Sequence, residues 1–319
     1  MSGGDRLKIG IVGAARVAVY AMVAPAAAGP RTEVVGIAAR DARRAKEFAE
    51  THGIANAYAS YDELIADPSI DLVYIATPPA LHKATAIKAL RAGKNVLVEK
   101  PFAANAREAA EIIAAVKPGK RVFEAFHYRH HALWHRVVEI TRAGELGRIK
   151  RIEAAFDVPI AKTADEFRWN PELGGGALMD LGCYPLQWVR VASGEEPRVI
   201  SAHMRKVDGV DAETEAELAF PSGATAKISC RMDGDGFKAF LNVEGTRGKL
   251  HVVNPLAPHM GHLFELTIDG EKRTEKFEGP STFAAQLDAV VATLHNNAPF
   301  PLAPDDPIKS MATIDAVKA

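Results

Sequence analysis

Two short runs hold the side chains that could do acid–base chemistry. Glu99-Lys100-Pro101 closes the apolar run Asn95–Glu99 (NVLVE), so Lys100 projects from the end of a buried strand. An ammonium group partly desolvated there falls in pKa and can exchange a proton with a substrate oxygen. Glu99 can anchor that lysine. The second run is Arg168-Trp169-Asn170-Pro171-Glu172-Leu173-Gly174-Gly175-Gly176-Ala177-Leu178-Met179-Asp180-Leu181-Gly182-Cys183-Tyr184. Its three glycines lead into a helix, and Asp180 and Tyr184, four residues apart, fall on one helical face. A carboxylate and a phenol so placed can hold and protonate a sugar oxygen. A free phenol titrates near ~10, and a neighbouring lysine cation would lower that value by stabilising the phenolate. Lys100 and Tyr184 are therefore a candidate acid–base pair, with Asp180 as substrate ligand. The plainer alternatives are a strand-end lysine, a core tyrosine and a surface carboxylate.

A third run points to a nucleotide. The apolar run Leu7–Val12 ends in Gly13-Ala14-Ala15-Arg16-Val17-Ala18. This approximates the G-x-G-x-x-G/A turn, which brings a pyrophosphate against backbone N–H groups at a helix start. Ala15 stands at the middle glycine, so its methyl holds the backbone slightly farther from a phosphate. A tight turn packed by small residues is the alternative. The ribose is read at the end of the second apolar run, where the chain has Ala38-Ala39-Arg40-Asp41. A free 2′-hydroxyl wants an acid there, and a 2′-phosphate wants arginine. Arg40, helped by Arg43 or Arg44, can pair a phosphate and stack on adenine. NADP is therefore expected over NAD. The alternative is a solvated arginine beside an Asp41 N-cap.

Four histidines, His127, His130, His131 and His135, crowd nine residues. His131 and His135 have the spacing of a helical metal pair, but no carboxylate stands where an H-E-x-x-H site needs one. No metal is expected. Phe126, Tyr128 and Arg129 are expected to line the mouth of a cleft.

The elements that must position these groups change character along the chain. Up to about residue 125, short apolar runs (Leu7–Val12, Glu33–Ala39, Asp71–Ala76, Asn95–Glu99, Arg121–Phe126) alternate with helical stretches such as Asp41–His52 and Pro79–Arg91. Continuous apolar strands alternating with helices predict a doubly wound parallel sheet, with its ligand at the carboxyl ends of the strands. Beyond residue 150, Arg148–Val158, Arg198–Arg205, Glu213–Phe220, Ala224–Arg231, Phe237–Glu244, Gly248–Val253 and Phe264–Asp269 alternate or carry β-formers. One helix, Ala177–Val191, interrupts them. The expected fold is α/β: residues 1–125 a dinucleotide-binding domain, residues 126–304 an α+β domain with a large, mostly antiparallel, open-faced sheet. The last helix, 305–317, is expected to pack back on the first domain. The second sheet carries apolar positions that the helices are too few to cover, so a homodimer or tetramer through that sheet is expected.

Composition narrows the classes. A chain of 319 residues exceeds what one core usually sustains. With 39 basic and 40 acidic residues, nothing advertises a nucleic-acid or anionic-membrane partner. Arg16 and Pro25 interrupt the N-terminal apolar stretch, and no run reaches transmembrane length. Two cysteines make no disulfide framework. A cytoplasmic protein is expected.

The run Ala89–Pro101 (ALRAGKNVLVEKP), with Thr77-Pro78 and His82 upstream, strongly resembles the Gfo/Idh/MocA oxidoreductases. Gly174–Tyr184 resembles the branch holding aldose (xylose) dehydrogenases and dimeric dihydrodiol dehydrogenases. The resemblance spans nearly the whole chain and implies a Rossmann first domain. It also implies catalytic roles for Lys100 and Tyr184, and cofactor contacts from Gly13, Ala15, Arg16, Val17, Arg40, Thr77, Pro78, His82, Glu99, Lys100 and Arg168. Many relatives have histidine where this chain has Tyr184. The implied activity is hydride transfer between NADP and a carbohydrate-like alcohol or carbonyl. A trans-dihydrodiol, inositol or keto-sugar substrate is one alternative, and a non-catalytic cofactor-sensing regulator is another.

Overall fold

The apolar runs of the first unit pair into one sheet of β1 (Leu7–Val12), β2 (Thr32–Ala38), β3 (Asn56–Tyr58), β4 (Leu72–Ile75), β5 (Asn95–Val98) and β6 (Val122–Glu124). The order is β3-β2-β1-β4-β5-β6 and every pair is parallel. This is the doubly wound arrangement, with its switch point between β1 and β4. β4 is buried along its whole length and β1 at all but Lys8, as expected of strands covered on both faces. These coordinates come from a computed structural model that describes residues 6–319. Ile9, Ile11, Ile37, Leu72 and Leu97 form the core, each fully excluded from water. Burial on that scale stabilises by about 1.5–3 kcal/mol per side chain. β3 escapes prediction because its three residues, Asn56, Ala57 and Tyr58, are exposed or half-buried and carry no period.

The second unit is built on eight strands: β7 (Ile149–Asp157), β8 (Arg198–Val207), β9 (Val210–Ala219), β10 (Thr225–Arg231), β11 (Lys238–Gly245), β12 (Gly248–Val253), β13 (Leu263–Ile268) and β14 (Glu271–Thr274). Their order is β14-β13-β12-β11-β7-β10-β9-β8. Only β7 and β10 run parallel. That pair needs a long crossover, and the chain between β7 and β8 supplies its helix, Cys183–Ser193. β14 was missed because all four of its residues are exposed and polar.

The apolar positions of this sheet divide between a buried face and positions that stay exposed, such as Ile200 of β8 and Val253 of β12. Alternate residues Ile152, Ala154, Leu218, Ile228, Leu241, Val243, Leu250 and Leu266 are buried on one face. The other face carries Arg151, Glu215 and Lys227, with ion pairs Arg151–Glu244 at 3.0 Å and Lys227–Glu215 at 3.3 Å. One cross-strand apolar row, Phe240, Val253 and Leu263, is only partly covered.

The chain partitions into two compact units: the described residues up to His127 with Phe283–Pro307, and Tyr128–Thr282 with Ile308–Ala319. The segment that returns to the parallel sheet is therefore not the last helix. Helix Thr282–Asn296 places Leu287, Val290 and Val291 in the first core. The last helix, Asp306–Lys318, stays from Ile308 onward with the second unit. There Ser310 Oγ accepts from Arg190 Nη1 at 2.6 Å, and Lys318 Nζ lies 3.0 Å from Met179 Sδ. No helix among the described residues is long and apolar enough to cross a membrane.

Candidate active site

The site residues fall into two sets, one on each unit. At the carboxyl ends of the parallel strands, Gly13 turns the chain with φ +105°, and a Cβ there would lie 2.7 Å from the Ala76 carbonyl oxygen. Only glycine fits that close approach. Ala15 and Val17 are half-buried and Arg16 is exposed. Thr77, just past β4, is buried, and its Oγ1 has no hydrogen-bond partner among the described residues. A buried hydroxyl is seldom left unmatched unless a ligand or water completes it. The Gly13 cradle and this hydroxyl fit a dinucleotide.

Past β2, Arg40 is exposed. The neighbouring Asp41 carboxylate is already engaged. Its Oδ1 accepts from Arg43 N at 2.9 Å and its Oδ2 from Arg43 Nη2 at 3.4 Å. The Arg43 backbone bond holds its pKa below the usual value. Asp41 is thus the N-cap of helix Ala42–His52. Arg44 Nη2 reaches the Ala14 carbonyl at 3.5 Å. Burial raises the pKa of the Tyr61 phenol, while the charges of Arg40 and Arg44 pull it down. Two guanidinium groups and a phenol therefore share this corner.

Lys100 is half-buried in a backbone anchored from several sides. Glu99 is buried, accepts from Tyr74 Oη at 2.6 Å, and accepts from Lys100 N at 3.3 Å. His82 is fully buried, with Nδ1 3.0 Å from the Pro101 carbonyl and Nε2 2.7 Å from the Thr77 carbonyl. It clamps the loop after β4 to the loop after β5. Burial pushes its pKa down to about 4, against the pull of those carbonyls. Glu124 Oε1 accepts from Phe102 N at 3.0 Å. Sequence reading missed Tyr74 and Glu124. The available signal was a single polar group inside an otherwise apolar strand.

In the second unit, Arg168 Nε donates to Asp180 Oδ2 at 2.6 Å, and its Nη1 donates to Glu166 Oε1 at 2.9 Å. Burial opposes the guanidinium charge, but Asp180 and then Glu166 hold its pKa above the ordinary value. The resemblance implies a cofactor contact for Arg168, and the same side chain holds Asp180. Glu166 had no signal in the sequence.

The expected α-helical face is corrected as well. Leu178–Gly182 winds as a π turn before the α-helix Cys183–Ser193. The wider turn changes the offset between Asp180 and Tyr184, a distortion that recurs at functional sites. Tyr184 is buried among aromatic rings: Phe156 edge-on at 5.4 Å, Tyr128 at 5.8 Å and Trp188 at 6.3 Å.

The histidine cluster has packing and capping roles. His127 stacks on Phe283 at 3.9 Å. His131 Nδ1 accepts from Leu133 N at 3.2 Å and caps helix Ala132–Arg142. Burial pushes the His130 pKa to about 3. Among the described residues no three metal-ligating side chains converge. Phe126 and Tyr128 are fully buried, and Arg129 lies 5.7 Å over the Trp134 ring, so none has the open setting expected of it. Phe126, Tyr128, Leu133 and Trp134 of this stretch pack in the interior, and the histidines and Arg129 between them are buried with them.

Both halves of the chain match a known protein family. Residues 7–127 match an oxidoreductase family with an NAD-binding Rossmann fold, and residues 134–251 match its C-terminal domain. A D-xylose 1-dehydrogenase (NADP(+)) from Haloferax volcanii is 33% identical over 98% of this chain and 96% of its own. A trans-1,2-dihydrobenzene-1,2-diol dehydrogenase from Sus scrofa is 37% identical over 71% of this chain and 68% of its own. Among solved structures, a 3-ketoreductase from Actinomadura kijaniata in complex with NADP and TDP-benzene superposes with a TM-score of 0.90. It is 26% identical over 98% of this chain and 97% of its own.

Proposed function

The chain belongs to the Gfo/Idh/MocA oxidoreductase family, and on that premise we propose that it is an NADP-dependent dehydrogenase or reductase of a carbohydrate-like substrate, aldose 1-dehydrogenase-like. One observation carries the reading: the carboxylate of Asp180, oriented by Arg168 at 2.6 Å, stands at the start of the helix that holds the buried phenol of Tyr184. A polar pair set in an aromatic wall suits a polyol, whose hydroxyls need acceptors and whose carbons need apolar cover.

Gly13, Ala15, Arg16, Val17, Thr77 and Pro78 would hold the dinucleotide, and Arg40 with Arg44 would hold its 2′-phosphate. NADP is favoured because Asp41, the acid that a free ribose hydroxyl would need, is consumed as a helix cap. A nicotinamide held there would supply the hydride-transfer chemistry. Tyr184 Oη gives or takes the proton of the reacting oxygen. Lys100 Nζ lowers the cost of the phenolate by its charge. Asp180 accepts from a substrate hydroxyl and orients it.

The tests are Lys100→Met and Tyr184→Phe, assayed with both cofactors across aldoses including D-xylose. Each should cut turnover by about 100- to 10,000-fold, the usual scale of acid–base catalysis. Near-normal turnover in both variants would remove the mechanism. A trans-dihydrodiol, inositol or keto-sugar substrate is the second reading, favoured by the aromatic wall of Phe156 and the exposed Phe237, whose rings lie 5.9 Å apart. Assembly through the outer sheet face, along Phe240, Val253 and Leu263, belongs to the same proposal. Light scattering would test it, and a monomer at micromolar concentration would count against it. The two buried free cysteines support a reducing, cytoplasmic setting.

A further inference from the structure

We propose that Asp211 is a positioning residue for this reaction, holding the start of the helix that carries Asp180 and Tyr184; the inference rests on the reading of those two residues above. Asp211 lies on β9, remote in sequence from that helix. Its Oδ2 accepts from Leu178 N at 2.7 Å and from Thr214 Oγ1 at 2.7 Å. The helix start has no local cap, since Ala177 precedes it with helical backbone and no side-chain hydrogen bond. The first N–H groups of a helix need acceptors from elsewhere. A carboxylate at that end also matches the helix dipole. Asp211 therefore supplies across the fold what the sequence lacks locally.

The same carboxylate explains the last of the three glycines. Gly176 has φ +118°, and a Cβ on it would lie 2.2 Å from Asp211 Oδ1. Gly176 N donates to the Arg168 carbonyl at 2.9 Å, and the Gly176 carbonyl accepts from Asp180 N at 3.0 Å. Arg168 Nε in turn donates to Asp180 Oδ2 at 2.6 Å. Asp211, Gly176, Arg168 and Asp180 thus form one closed set of contacts. Loosening the first turn moves Asp180 against its arginine and carries Tyr184 with it. Asp211 is only 8% exposed. Burial raises its pKa, while the bonds from Thr214 and Leu178 and the Lys318 charge lower it.

The experiment compares Asp211→Ala with Asp211→Asn, which keeps an acceptor for Leu178 N. Amide hydrogen exchange of the peptide spanning 177–184 reads the positioning directly, whatever the substrate. Exchange should rise in the alanine variant and return towards wild type in the asparagine variant. In kinetics, Asp211→Ala should lower kcat by about 10- to 100-fold, the cost of a misplacement of about an ångström. NADPH binding should be unchanged, and Asp211→Asn should recover most of the rate. Unchanged exchange in Asp211→Ala, or equal damage in both variants, would overturn the proposal. Should Asp211→Ala fail to fold, Thr214→Val removes one of the two bonds to Oδ2, and the same exchange readout decides. Near-normal turnover in Tyr184→Phe would refute the acid–base reading alone; the exchange result would still decide for or against Asp211.

Discussion

The clamp formed by His82 should make the first unit sensitive to acid, and its size follows from burial. The imidazole is fully excluded from water, and burial holds its pKa down from the ordinary 6.5 to about 4. A folded value below the unfolded one means that the unfolded chain binds the extra proton between those two pH values. Stability is then fully present above about pH 6.5 and is lost as the pH falls toward about 4. The full gap corresponds to about 3 kcal/mol, of which ~2 kcal/mol is gone by about pH 5. That is a sizeable fraction of the roughly 5–15 kcal/mol typical of a folded domain. Trp134, Trp169 and Trp188 are the chain's three tryptophans and all lie in the second unit, so their fluorescence does not report this loss. Amide hydrogen exchange of the β4 and β5 peptides does. Wild type should lose about 2 kcal/mol more protection than His82→Gln between about pH 7.5 and pH 5. Equal pH dependence in both proteins would refute the reasoning. A wild type that gains protection in acid would mean the ring is held charged between the Thr77 and Pro101 carbonyls.

Other outcomes follow from single contacts. Arg40→Ala should weaken NADPH binding by about tenfold, the worth of one charge-assisted bond, and leave NADH unchanged in a fluorescence titration. Gly13→Ala forces a Cβ to 2.7 Å from the Ala76 carbonyl at φ +105°. It should cost about 1–3 kcal/mol in urea unfolding and weaken dinucleotide affinity in the same titration. Arg168→Met removes one partner of the buried Asp180 and should lower stability by about 1–3 kcal/mol. Adding Asp180→Asn should restore part of it, and strict additivity in that double-mutant cycle would deny the pairing.

Local pattern determined much of this protein. Apolar runs bounded by glycine reveal strands whether or not their partners are known, because burial on both faces leaves no room for alternation. The runs ending at Gly13 and Glu99, and the alternation within β9 to β12, were therefore legible. So were the Asp41 cap, Lys100 just beyond its strand and Tyr184 on its helix. A family resemblance added roles, which spacing alone left open between chemistry and packing.

Tertiary structure decided what each polar group is used for. Asp41 and Arg40 are neighbours in sequence, yet only the Arg43 contacts show that the acid is engaged as a helix cap. Arg168 and Asp180 are twelve residues apart, and the glycine turn that folds one onto the other depends on a carboxylate from β9. His82 becomes a clamp only when two loops converge on its two nitrogens. Helix Thr282–Asn296 joins the first core and Asp306–Lys318 stays, from Ile308 onward, with the second unit, because apolar residues on a helix do not say which core receives them. Hydrogen bonds between distant segments leave no period in the sequence, so the partners of this site had to be found in space.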